Sequence, residues 1–184
     1  VTLIGMVLSG MNIVKEKEKG TIEQINVTPI KKYQFMIGKL LPFWLLALFE
    51  LMIGLAFARL VFSIPMEGSI VLLLGIASVY LLVVLGLGLL ASTVSDTMQQ
   101  AMFISWFFVV IFILMSGLFT PVESMPAWAQ NLNLLNPVAY FIQINRMIML
   151  KGSGFQEVSG LFFALCVYAA AILSIAVKRY KKTA

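Results

Sequence analysis

Apolar and polar residues alternate along this chain in blocks rather than at single positions. Four apolar blocks, 40–62, 69–91, 102–119 and 158–177, each approach the 20 or so residues that a helix needs to cross a bilayer. A shorter block, 1–14, opens the chain. It has no basic n-region before it, so it does not read as a signal peptide, and it is too short to span. It predicts the end of a truncated transmembrane helix, with the chain being the C-terminal part of a longer protein. Glycines at 5 and 10 in this block, and at 75, 86 and 88 in the second full one, predict faces smooth enough for close helix contact.

The polar blocks separate these helices. Residues 15–32 (KEKEKGTIEQINVTPIKK) form the most strongly charged stretch before the C-terminal tail, and carry their own local grammar. Thr21 followed three residues later by Gln24 fits a capping box, and Glu23 adds negative charge to the first turn. Ile22 and Ile25 fall on one face, and Pro29 pushes Thr28 out of helical geometry and ends the element. The result is a helix of about two turns, too short to stand alone in water. It needs a partner surface, either the membrane or another protein. Residues 92–100 predict a polar turn whose charge is Asp96. Residues 120–151 break the spanning pattern with Pro121, Pro126 and Asn136-Pro137, and predict two short semi-polar helices. The second of these, 137–150, has the length of a re-entrant or interfacial segment. Trp128 and Tyr140 suit a membrane interface.

Composition removes most other classes. Of 184 residues 61% are hydrophobic and 11% charged, against roughly 45–50% and about 25% in soluble domains. Lipid must therefore act as part of the solvent. The net charge of +5 follows membrane orientation and does not indicate nucleic acid: the basic residues sit beside the spans. With residues 15–32 inside, the inner face holds Lys15, Lys17, Lys19, Lys31, Lys32, Lys39, Lys178, Arg179, Lys181 and Lys182. The outer face then holds Arg59, Arg146 and Lys151. The positive-inside rule puts residues 15–32 and the tail 178–184 in the cytoplasm and the hairpin 120–151 outside. The chain has one cysteine and no histidine, which excludes a disulfide framework, zinc-protease motifs and histidine-based catalysis. Neither a P-loop nor a GxGxxG is present.

Taken together these stretches resemble the permease subunits of ABC-2 type exporters, a class that includes bacterial drug-efflux permeases. The resemblance rests on a helix running into EKEKGTIEQINVTPI and then into GKLLPFW, with Glu16, Glu18, Lys19, Gly20, Thr21, Glu23, Thr28 and Pro29 in the family's order. It extends to the proline-marked hairpin before the last helix. It implies an all-α integral membrane protein, a polytopic transmembrane bundle with a cytoplasmic coupling helix and an extracytoplasmic re-entrant hairpin. It also implies a multi-pass protein of the bacterial inner membrane that pairs as a homodimer or with a paralogous permease. A separate ATP-binding subunit would carry ATP and magnesium, so that this chain binds no cofactor and is not itself an enzyme. A periplasmic adaptor is a further possible partner. In that scheme Glu16, Glu18, Gly20, Thr21, Ile22, Glu23, Ile25, Thr28 and Pro29 form the contact with the ATPase. The acids pair with its basic residues and the isoleucines fill its groove, while Lys17 and Lys19 rest on lipid headgroups.

Two membrane-embedded charges stand apart as candidates for a translocation path. Glu50 lies within a span, where a carboxylate costs a few kcal/mol. It can line a polar cleft, meet a cationic substrate or carry a proton, and the plainer reading is a residue that fixes helix packing. Arg146 in the hairpin needs a partner or water, for which Glu123 is available, and the hairpin itself is either an outer gate or a plug. A different class of function, a membrane anchoring or assembly component with no path of its own, fits the same composition. An intramembrane enzyme is disfavoured because Glu50 and Asp96 are far apart in sequence and no histidine assists them.

Overall fold

The computed structural model describes residues 1–20 and 32–179. Among these residues the secondary structure is helical throughout. The elements are α1 (Thr2–Glu18), α2 (Lys32–Leu60), α3 (Ile70–Thr93) and α4 (Met98–Met115), a 3-10 turn at Val122–Ser124, then α5 (Ala127–Asn133), α6 (Pro137–Lys151) and α7 (Phe155–Arg179). Four of them, α2, α3, α4 and α7, are long and apolar enough to cross a membrane. The chain is a polytopic helical membrane protein.

α3 is the axis of the bundle. Half of its most apolar stretch is buried, against 11–17% in the other three spans, and α1, α2, α4 and α7 all pack on it. Leu73, Ile76, Tyr80, Leu81 and Val84 supply its core face, joined by Met6 from α1, Val109 from α4 and Leu165 from α7. The outer sides of α2, α4 and α7 expose large side chains such as Leu45, Phe49, Phe103, Trp106, Phe163 and Val167. In water such a surface would aggregate; in a bilayer it can meet lipid or another apolar helix.

The expected close approaches occur at Gly88, Gly10, Gly86 and Gly5. A Cβ on Gly88 would land on Ser9 Oγ and the Met6 carbonyl of α1, and one on Gly10 would lie 3.1 Å from the Gly88 carbonyl. A Cβ on Gly86 would meet Ile172 of α7 at 2.8 Å, and one on Gly5 would sit 3.3 Å from Val84. Gly75 does not fit this expectation, since nothing lies within 4 Å of its open side.

Several boundaries differ from the hydrophobic pattern. α1 does not stop at residue 14: it continues through the alternating lysines and glutamates, whose straight side chains favour helix. Lys15 and Lys17 in its last turn suit the negative end of the helix dipole. α2 begins at Lys32 rather than 40, so Pro42 lies inside it and not in its first turn. α4 runs from Met98, one turn earlier than predicted, and ends at Met115, because Gly117 takes a left-handed φ of +82°. The hairpin helices fall where the prolines and Asn136 put them.

Candidate functional site

At the charged end of the bundle, the last turn of α1 is tied to two other elements. Lys39 of α2 donates to Glu16 Oε1 at 2.6 Å, with both side chains at least two-thirds covered. Lys17 donates to Asp96 Oδ1 at 2.6 Å and to the Ser95 carbonyl at 3.1 Å, in the turn that joins α3 to α4. Glu18 Oε1 accepts from the Met98 amide at 2.9 Å. That amide is one of the unpaired donors at the start of α4, where a carboxylate also meets the positive end of the helix dipole. Thr97 caps the same helix, its Oγ1 accepting from the Gln100 amide at 3.2 Å, while Gln100 Oε1 reaches back to the Asp96 amide. Gly20 follows with φ +70° and its amide on the Lys17 carbonyl, a left-handed stop of the usual glycine kind. Glu16–Lys39, Lys17–Asp96 and Glu18–Met98 form a latch.

Within the chain Glu16 and Glu18 bind Lys39 and the Met98 amide, and Lys17 lies on Asp96 and Ser95. The latch also contains Thr97 and Met98, which the sequence pattern did not single out, and gives Lys39 and Asp96 partners that it did not foresee. The signal was present for one of them: Thr97 to Gln100 is a capping box of the same form as Thr21 to Gln24. Thr21, Ile22, Glu23, Ile25, Thr28 and Pro29 lie outside the described residues.

Midway along α2, Glu50 lies beside Val1 at the start of α1. One residue on, Thr2 Oγ1 is 2.6 Å from the buried Tyr80 hydroxyl, and the Tyr80 ring stacks on Phe141 of α6 at 4.2 Å between centroids. Trp44, also on α2, donates to the Ser78 carbonyl of α3. Polar groups thus stitch the start of α1 to α3, and α2 to α3 near their middles.

At the far end, the hairpin encloses a half-open cleft of about 740 Å3 lined by Arg146, Glu123, Gln143, Tyr140, Gly117 and Lys151 among others. Arg146 Nη2 donates to the Gly117 carbonyl at 3.1 Å. The expected pairing with Glu123 is replaced by this bond, although both side chains line the cleft. Arg146 and Glu50 do not meet. Asn136 organises this end: its Oδ1 caps α6 by accepting from Val138, and its Nδ2 donates to Asn133 Oδ1 and to the Phe112 carbonyl of α4. Because the Ser116 amide turns to Ile113, the Phe112 carbonyl is one of the orphan acceptors at a helix end. α6 then carries Val138, Ile144 and Ile148 into the same core as Tyr80 and Val84.

A family profile described as "ABC-2 family transporter protein" matches residues 1–178. The chain belongs to the ABC-2 transporter family. Among curated ABC-2 relatives, the "Probable multidrug ABC transporter permease YbhR" of Escherichia coli is 35% identical over 183 residues, covering 99% of this chain and 50% of that protein. The "Inner membrane transport permease YhhJ" of the same organism is 31% identical over 188 residues, covering 100% of this chain and 49% of its own length. "ABC transporter G family member 20" of Dictyostelium discoideum is 27% identical over 172 residues, or 92% of this chain and 24% of that protein. The chain spans about half the length of the first two relatives. No solved structure matches this ABC-2 chain.

Proposed function

We propose that this chain is the membrane part of an ATP-driven exporter permease, and that residues 21–31 are the point where a separate ATP-binding subunit engages it from the cytoplasm. The observation that carries the reading is the latch. The helices on both sides of residues 21–31 are held to one another through Glu16–Lys39, and one of them is held to the α3–α4 turn through Lys17 and Glu18. A push on residues 21–31 therefore reaches α1, α2, α3 and α4 together. Glu16 and Glu18 serve as struts behind the docking surface, and Gly20 sets the angle at which the chain leaves α1.

The excess of lysine and arginine at the latch end supports a cytoplasmic placement of that end and an extracytoplasmic hairpin. The cleft around Arg146 is then the outer part of the path, with Glu50 as a packing residue behind it. Two such chains, identical or paralogous, would enclose the route. The name of the multidrug relative YbhR favours drugs or other hydrophobic compounds as cargo; movement is outward, and a periplasmic adaptor would receive what leaves.

The test is a single cysteine at Gln24 in the full-length permease, expressed with its ATP-binding subunit. The expected result is a cross-link to that subunit that arrests efflux. Labelling of Lys17→Cys or Lys31→Cys by an impermeant reagent from outside would invert the topology and remove the proposal. Undiminished export in Glu50→Gln and Arg146→Gln variants, with the complex intact, would favour an anchoring role.

A further inference from the structure

A second hollow, sharing no lining residue with the hairpin cleft, lies between residues of α1, α3, α4 and α7. It measures about 260 Å3 and is lined by Met6, Leu90, Ala91, Phe108, Phe112 and Ile175, with Arg179 beside them. The lining is hydrocarbon and aromatic except for that guanidinium. Phe108 and Phe112 sit one helical turn apart and form a wall, their ring centroids 6.1 Å apart. Ile175 and Arg179, also one turn apart, form the opposite edge. The rim is exposed at Val94, Phe108 and Ile175, so the slot opens to the surroundings of the bundle. Arg179 is exposed, and among the described residues it has no hydrogen-bond or ion-pair partner. Arg179 is the one charged residue that lines the slot, so an anion at the slot's end meets a cation.

We infer that this slot holds part of one acyl chain of an anionic phospholipid whose phosphate sits on Arg179. This rests on the membrane placement of the bundle and not on coupling to an ATPase. The volume is room for roughly nine methylenes, at the ~30 Å3 that a water-sized group occupies. Lipid tails are as apolar as the lining, so the slot selects a chain by shape and gains little from burial. The guanidinium offers two parallel donors to a phosphate; since every phospholipid has that phosphate, selectivity lies in net charge, the choline ammonium of a zwitterionic lipid offsetting the attraction. A single cation at the surface corresponds to a preference of about fivefold for an anionic over a zwitterionic lipid.

The experiment places the full-length permease in bilayers containing spin-labelled phosphatidylglycerol or phosphatidylcholine and reads the motionally restricted fraction of each. The expected result is a preference for phosphatidylglycerol to which Arg179 contributes about a fivefold factor. That factor should be lost in Arg179→Gln and kept in Lys178→Gln, whose side chain does not line the slot, while the other basic residues of that face contribute equally in every variant. Val94→Trp, at the exposed rim, should lower the restricted lipid per chain without changing the melting temperature. A preference undiminished in Arg179→Gln, or one that falls equally in both charge variants, would overturn the inference. So would restricted lipid unchanged by Val94→Trp.

Discussion

Replacing Gly88 by alanine probes the closest helix contact in the bundle, and the neighbouring glycines provide its controls. A Cβ at Gly88 would coincide with Ser9 Oγ and with the Met6 carbonyl, and it would stand 3.1 Å from the carbonyl carbon of Met6. Two of these atoms belong to helix backbone, so relief requires α1 to move away from α3 as a body. Overpacking of this kind costs about 1–3 kcal/mol, and a backbone obstacle puts Gly88 at the upper end. Alanine recovers about 1 kcal/mol of helix propensity over glycine, leaving Gly88→Ala roughly 2 kcal/mol less stable. Gly75→Ala gains the same propensity and meets nothing within 4 Å, so it should be as stable as the parent or more so. Propensity cancels between the two variants. Their difference, about 3 kcal/mol, is the steric part. Gly10→Ala falls between them, with the Gly88 carbonyl at 3.1 Å and a Ser105 hydroxyl able to rotate away at 3.2 Å. Thermal unfolding in detergent, followed by fluorescence-detected size exclusion, should separate Gly88→Ala from Gly75→Ala by about 5–10 °C. Equal melting of the two would refute the close approach of α1 to α3.

Three further outcomes follow from the two ends of the bundle. Glu16→Lys and Lys39→Glu should each impair ATP-coupled export, and the double exchange should restore at least half of it; failure of the exchange would mean that Glu16 acts chiefly on another partner. Asn136→Ser keeps a cap for α6 but is too short to reach Phe112, whereas Asn136→Ala loses both, so the alanine variant should be less stable than the serine variant by about 1 kcal/mol in chemical denaturation. Asp96→Asn removes a pair whose carboxylate is 84% exposed. It should lower stability by less than about 1 kcal/mol while reducing transport per ATP hydrolysed, measured in proteoliposomes.

The number of spanning helices and their order were legible because lipid demands long uninterrupted apolar runs, which composition alone displays. Helix ends were less so. A hydrophobic reading stops α1 at residue 14 because Lys15 to Glu18 are polar, yet helicity and hydrophobicity are separate properties, and KEKE is a good helix. The same confusion starts α2 late, since Lys39 looks like a boundary until its ammonium is found on Glu16. Asn136-Pro137 was recognisable as punctuation, but its bond to Phe112 joins residues 24 apart and leaves no local trace. The pairing of Arg146 with Gly117 is hidden for the same reason: the acceptor is a backbone carbonyl freed by the end of α4. Charges were found from sequence, and their partners were not.

α4 is the element that can connect the two ends. It is 18 residues long, about 27 Å; one side, with Ala101, Ser105 and Val109 buried, packs along α1, and the rest of its surface is open. Its ends are held as well: Glu18 holds the Met98 amide at one, and Asn136 holds the Phe112 carbonyl at the other. The two bonds are some 14 residues or about 21 Å apart along a rigid rod, too far to influence each other directly. Independent substitutions at such a distance add to within about 0.5 kcal/mol. If α4 carries displacement from the latch to the hairpin, then breaking either end uncouples it, and breaking the second changes little more. Glu18→Ala and Asn136→Ser should each reduce the ratio of transport to ATP hydrolysis, and the double variant should resemble the worse single one. Strict additivity in that ratio would show that the two bonds act separately, and α4 would then be a span like any other.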